Sequence, residues 1–389
     1  MTTHAPERLS GARRAAHNLR RGRGAPSPLW PALALTFANS LGSAVAATGV
    51  YFVAERRYGW TERDNLLLAL LYGVTYFLGA AGSGGVLRLA ERRSGLLTPR
   101  RLFMLISVLM GLVAFLPAAL EEPWTLWVFM GVYSPLSGVM WPLVEAYLAS
   151  GRAGARLRSA MGQFNIAWAS AIVGGLWMIA PLIEHAPLMT LSALGVIHLA
   201  GLALIALLPA RPGAHAELTL PPGTAAPDDA DPRRARRLLT AFRILLFFAF
   251  ILMSALSPRL PDRLRSLGVG ADWRTPLVSV WAITRLALFI LLERWHGWHG
   301  RWRTAIWSGG ALAIGFLLAA FAPSIAFTTI GLALFGIGFG GAYTAALYYA
   351  MFVGNAEVDA GGKHEAIIGL GYTLGPLIAL ALHALLGAS

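Results

Sequence analysis

Two ionisable side chains lie deep within long apolar stretches of this 389-residue chain: Glu145, in WPLVEAYLA, and Arg285, in VSVWAITRLALF. A charge in such surroundings costs several kcal/mol unless it meets a partner, a cavity or water. Both are therefore candidates for handling a solute or a proton. Tyr133, Ser137, Trp141 and Glu145 follow one another at four-residue steps, which places them on one slowly drifting helix face. A carboxylate withdrawn from water can carry a proton. The alternative for Glu145 is a structural pair with Arg152, Arg156 or Arg158 in the following loop. Arg285 shares a face with Val278 and Trp281. Because a guanidinium stays charged, it needs an acid, a substrate carboxylate or phosphate, or water. Three roles follow for it: anion recognition, a charge pair with Glu145, or a structural pair with Glu293.

Uncharged polar groups supply the rest of a candidate site. Asn39 and Ser43 share a face, Gln163 and Asn165 open one apolar stretch, Tyr343, Tyr348 and Tyr349 lie along another, and Tyr372 and Thr373 lie in the last. Aromatic walls suit a partly apolar or ring-shaped solute, and for each residue singly helix packing is the competing explanation. His198 and His383 read as packed histidines. His296 and His299 follow Glu293 at three-residue steps, but Gly297 and Gly300 end the helix that would align them as metal ligands. No metal site is expected, and the lack of cysteine excludes thiolate ligands, disulfides and Cys nucleophiles. Gly336-Ile-Gly338-Phe-Gly340 reads as helix-packing glycine, not a phosphate cradle. No cofactor is expected, proton coupling being the one ionic requirement considered.

The elements that must hold these residues are membrane spans. Hydrophobic residues make up 56% of the chain and charged ones only 13%, about half the charged share of an average soluble domain, and the mean hydropathy is +0.60. This excludes a soluble enzyme, a disordered chain and a nucleic-acid-binding module, despite a net charge of +13. Windows of about 20 apolar residues predict eleven spans, near 29–54, 63–88, 102–120, 124–150, 159–184, 187–210, 239–257, 274–293, 304–322, 325–353 and 364–387. Arginines concentrate in the tail, in the loops after spans two, four and eight, and in the middle loop. By the positive-inside rule the N-terminus is cytoplasmic. The division is a basic tail (1–28), a six-helix bundle (29–210), a cytoplasmic linker (211–238) and a five-helix bundle (239–389). A bacterial plasma membrane and a monomer are expected.

A repeat supports the two-bundle plan. Arg88-Leu-Ala-Glu91-Arg92-Arg-Ser-Gly95 after span two matches Ile290-Leu-Leu-Glu293-Arg294-Trp-His-Gly297 after span eight, an offset of 202 residues. Six spans repeated in parallel is a transporter plan with its site between the halves. With its central loop and its signature after spans two and eight, the chain resembles the major facilitator superfamily. That family's Gly-x-Leu-x-Asp-Arg-x-Gly-Arg-Arg is matched at Leu89, Glu91 and Arg92, with Gly95 one place late and Leu87 in the first glycine's place. Tyr133, Ser134 and Pro135 stand where drug/proton antiporters of the family carry an arginine, which argues against that activity.

The resemblance implies an all-α polytopic membrane protein with two lobes and no enzymatic role. It also implies a central cavity lined by span four and alternating access for a small organic solute. Glu91 with Arg92, and Glu293 with Arg294, are then expected to latch the loops. The repeat predicts a twelfth span starting near residue 389, which leaves two expectations: a true eleven-span protein ending on the extracytoplasmic side, or a chain truncated relative to a twelve-span relative. A non-transporting sensor or assembly partner on the same fold is the alternative. A membrane enzyme lacks a clustered His/Asp/Glu site. The partners expected are the lipid bilayer and a small-molecule substrate.

Overall fold

The computed structural model describes residues 27–94, 97–152, 154–212, 232–295, 297–353 and 358–385. The first span is α1 (Leu29–Ala44), one π turn (Val45–Gly49) and α2 (Val50–Tyr58). Then come α3 (Glu62–Ser94), α4 (Pro99–Leu120), α5 (Trp124–Ala149), α6 (Gly154–His185) and α7 (Met189–Ala206). After the linker, α8 (Pro232–Leu256) continues through a 3-10 turn into α9 (Leu260–Ser266), followed by α10 (Ala271–Arg294), α11 (Trp302–Phe321), α12 (Ile325–Val353) and α13 (Val358–Leu385). Among the described residues eleven of these segments are long and apolar enough to cross a membrane, and no strand occurs. The protein is an all-α integral membrane protein.

Local chemistry sets the ends. Thr98 accepts the Arg101 amide at 3.3 Å with Pro99 just inside, an N-cap that starts α4. Gly59, at φ +65°, closes α2 in the left-handed conformation that a side chain resists. The seventh span differs from its expected limits. It runs Arg233–Ser266, so residues 232–238, assigned to the linker from sequence, are helical. Arg233, Arg234, Arg236 and Arg237 stand in its first two turns and Arg243 in the third, and no charged residue follows until Arg259. The tail before residue 27, linker residues 213–231, His296 and the side chains of Glu91 and Arg92 lie outside the described residues.

The 202-residue offset is present in the fold: it carries α4 onto α11, α5 onto α12 and α6 onto α13 to within a few residues. Each lobe is tied by side chains that return to a neighbouring helix's backbone. Ser134 donates to the Tyr72 carbonyl (2.7 Å), Thr284 to that of Ala333 (3.0 Å) and Ser254 to that of Gly371 (3.0 Å). Apolar lipid gives helices little hydrophobic reason to associate, so such bonds and close packing carry the assembly. The lobes meet along two helix pairs, α3 with α13 and α6 with α10.

Close packing is tightest where α12 crosses α10. A Cβ on Gly336 would strike the Trp281 backbone, whereas one on Gly310 would meet nothing within 4 Å. Gly336→Leu is therefore expected to lower the thermal midpoint in detergent, since overpacking costs about 1–3 kcal/mol. Gly310→Leu should leave the midpoint unchanged, and equal melting of the two variants would contradict this packing.

Candidate functional site

Between the lobes lies a narrow chamber with about 50 Å³ of free volume. The amino-terminal lobe contributes Ser43, Ala47 and Thr48 from in and beside the π turn, Tyr72 and Tyr76 from α3, Trp141 from α5, and Phe164, Trp168 and Ile172 from α6. The carboxy-terminal lobe contributes Phe250 and Met253 from α8, Trp281 and Arg285 from α10, Tyr343 from α12, and Glu365, Ile368 and Tyr372 from α13. The π turn widens the first span beside the chamber, a common position for such a turn.

Arg285 is fully buried, and none of its three guanidinium nitrogens has a hydrogen-bond partner among the described residues. Rings take the place of an acid. The guanidinium carbon lies 4.0 Å from the Trp168 ring centroid and 4.4 Å from that of Trp281, with Phe339 at 5.3 Å and Phe289 at 6.0 Å. Each such contact contributes about 0.5–2 kcal/mol, and the N–H donors remain without an acceptor among the described residues. Neither sequence-based pairing holds: no ion pair joins Arg285 to Glu145 or Glu293. The Glu293 carboxylate instead sits over Gly162 on α6, where a Cβ would collide with it.

Across the chamber, the Tyr76 hydroxyl donates to Glu365 Oε2 at 2.5 Å, a bond from one lobe to the other. Glu365 is buried, 4% exposed. Aromatic contacts between lobes surround this bond: Tyr372 meets Tyr72 (5.1 Å between centroids) and Tyr76 (5.4 Å) edge-on, and Trp168 stacks on Tyr343 at 5.1 Å.

Of the residues singled out from sequence, Arg285, Trp281, Trp141, Tyr343, Ser43 and Tyr372 line the chamber together. Tyr133 does not. Its hydroxyl lies 2.8 Å from His198 Nε2 on α7, inside the amino-terminal lobe. Four-residue steps drift by about 40° each, and Pro135 and Pro142 interrupt α5, so Trp141 reaches the chamber while Tyr133 faces away. Glu145 is half-buried near the linker end, outside the chamber wall but within electrostatic reach of Glu365. Gln163 is exposed and donates to Ser159 at 3.2 Å. Asn39 and Asn165 are buried away from the wall, each with one amide atom unpartnered. Arg294 is exposed at the end of α10.

Sequence reasoning missed Glu365, Tyr76 and Trp168. A signal for Glu365 was present, because the 202-residue offset carries Gln163 onto it. Lys363-His364-Glu365 looks like headgroup-level charge until α13 is seen to begin at Val358, roughly two turns earlier.

At the end away from the linker, Glu55 of α2 binds Arg265 (2.6 Å) and Arg274 (3.1 Å), and Arg259 binds Glu62 (2.8 Å), all between lobes. The Arg265 side chain is 54% exposed and its pair is screened, while Glu55 (8%) and Arg274 (14%) are sheltered. Deeper in, Trp177 donates to Ser279 at 2.9 Å. At the linker end, a cavity of about 410 Å³ between α3, α4, α5 and α13 reaches Ala146 and Ala366, the residues that follow Glu145 and Glu365 in sequence. Glu55→Gln is expected to loosen the far end. Spin labels at Thr61 and Ser266 in this cysteine-free chain should move apart, and an unchanged distance distribution would show that the pair does not latch.

The fold has relatives of known structure. A bacterial homolog of the human lysosomal transporter Spinster superposes with a TM-score of 0.67 at 13% identity, over 92% of this chain and 83% of that one. The nucleoside transporter NupG gives 0.59 at 16% identity, over 90% and 89%. The human organic anion transporter MFSD10 gives 0.59 at 16%, over 92% and 93%. The chain has the major facilitator fold. No protein-family model and no curated protein sequence matches it. Within the major facilitator fold, α3 with α13 and α6 with α10 form the seam between lobes. Both embedded charges of the chamber, Arg285 and Glu365, stand on helices of that seam.

Proposed function

We propose that the protein is a secondary transporter moving a small organic solute by alternating access, coupled to protons through Glu365. The observation that carries this reading is a chamber built half from each lobe, with its two charged groups on the seam helices. Rocking one lobe against the other would break the Tyr76–Glu365 bond and the Arg285–Trp168 contact together. Solute, proton and lobe closure would thereby share the same residues. The linker-end cavity beside Ala146 and Ala366 offers protons a route from the cytoplasmic side, with Glu145 as relay.

The three structural neighbours are named for different cargoes, so they support transport in general and leave the cargo to this chain's own chamber. The orientation drawn from the arginine distribution puts the linker in the cytoplasm of a bacterial cell and Glu55 outside. The purified chain in proteoliposomes tests the proposal. Saturable solute movement driven by an imposed pH gradient is expected. No movement of any solute by folded protein would overturn it and favour a sensor role.

A further inference from the structure

Building on that transport reading, we infer that the chamber, opened beyond the about 50 Å³ it holds here, takes a ring-bearing organic monocarboxylate, whose carboxylate docks on the N–H donors of Arg285 beside Trp168 and Trp281. Three observations select this class. The first is the unused donor edge: Arg285 is fully buried with all three nitrogens unpartnered. A planar guanidinium fork matches a carboxylate with two parallel N–H···O bonds. Rings stand within 4.0 and 4.4 Å of the guanidinium carbon but offer its N–H groups no oxygen acceptor, so the donors remain for a ligand.

The second is charge. Among the described residues, Arg285 is the one cationic side chain lining the chamber and Glu365 the one acid. A monoanion with its proton on Glu365 leaves the chamber with the single positive charge of Arg285 neutralised. A phosphate dianion would leave an unpaired negative charge, and an amine would face Arg285. Co-transport is then one carboxylate with one proton, net charge zero: Glu365 takes the proton on binding and returns it on release.

The third is the wall. Tyr72, Trp141, Phe164, Phe250 and Tyr343 present rings to the remaining space, and Ser43 and Thr48 supply hydroxyls. Ring faces favour stacked or edge-on aromatic partners.

Isothermal titration of the full chain in detergent tests this, with benzoate and indole-3-acetate against benzamide, uridine, benzylamine and phenyl phosphate. The carboxylates are expected to bind about ten- to a hundredfold more tightly than benzamide, as for one charged hydrogen-bonding group. Arg285→Gln should remove that preference, and a pH dye in weak buffer should report one proton taken up per benzoate bound. Benzamide or uridine binding as well as benzoate would overturn the inference. So would failure of both carboxylates to bind at millimolar concentration, or benzoate binding retained in Arg285→Gln. Should Arg285→Gln fail to fold, the wild-type ligand series decides alone. Arg285-dependent benzoate binding without labelled benzoate entering proteoliposomes would sink the transport reading and keep this one. Uridine uptake that ignores Arg285 would do the reverse.

Discussion

Arg285→Met is expected to melt at the same temperature as the parent or higher, while solute movement falls to background. The sign follows from what surrounds the guanidinium. A buried charge without an acid carries a desolvation penalty of several kcal/mol, and the ring contacts of Trp168 and Trp281 return about 0.5–2 kcal/mol each. Methionine fills similar space and carries no charge. Replacing buried charges with apolar groups of matched volume is commonly neutral or stabilising by roughly 1–4 kcal/mol. A residue kept at a cost to folding points to a role in function. A lower midpoint for Arg285→Met would make the arginine a structural element and remove the main support for an anion site. Scanning fluorimetry and proteoliposome uptake on one preparation decide the matter.

Glu365→Gln should abolish accumulation against a gradient and spare exchange. The amide oxygen of glutamine can still accept the Tyr76 hydroxyl, so the bond between lobes survives while the proton site is lost. One pH unit is worth about 1.4 kcal/mol, enough to drive about tenfold accumulation of a solute moved with one proton. The variant is expected to bring solute only to equal concentrations on both sides, at any imposed pH difference. Counterflow of labelled for unlabelled solute, which needs no net proton movement, should continue. Loss of counterflow as well would assign Glu365 to holding the lobes together, and accumulation retained in the variant would place the proton on another group, Glu145 first.

Much of the architecture was legible in the residues because a bilayer restricts the choices. Eleven apolar windows, arginine-marked loops and the Glu91–Glu293 repeat all have counterparts in the helices, since each span must satisfy its own backbone and reach about 30 Å. Arg285 and Trp281 were legible for a related reason: one charge in an apolar stretch draws attention to itself and to its helix face. What escaped depends on contacts between distant segments. Glu365 lies so near a span edge that its burial appears only when α3 packs along α13. Tyr133 looked like a cavity residue until His198, 65 positions away, proved to be its partner. Nothing near Glu55 in sequence shows that Arg265 and Arg274 fold against it from the other lobe.

The placement of Arg285 also bears on membrane insulation. A positive charge in the chamber between the lobes, hydrogen-bonded to no acid among the described residues, would raise an electrostatic barrier to hydronium and alkali ions, as an arginine does in pores that exclude cations. An empty carrier would thus hold back the gradient that drives it. Liposomes carrying the Arg285→Met protein would then dissipate an imposed pH difference faster than those carrying the parent, so the arginine would serve the cell even between cargoes.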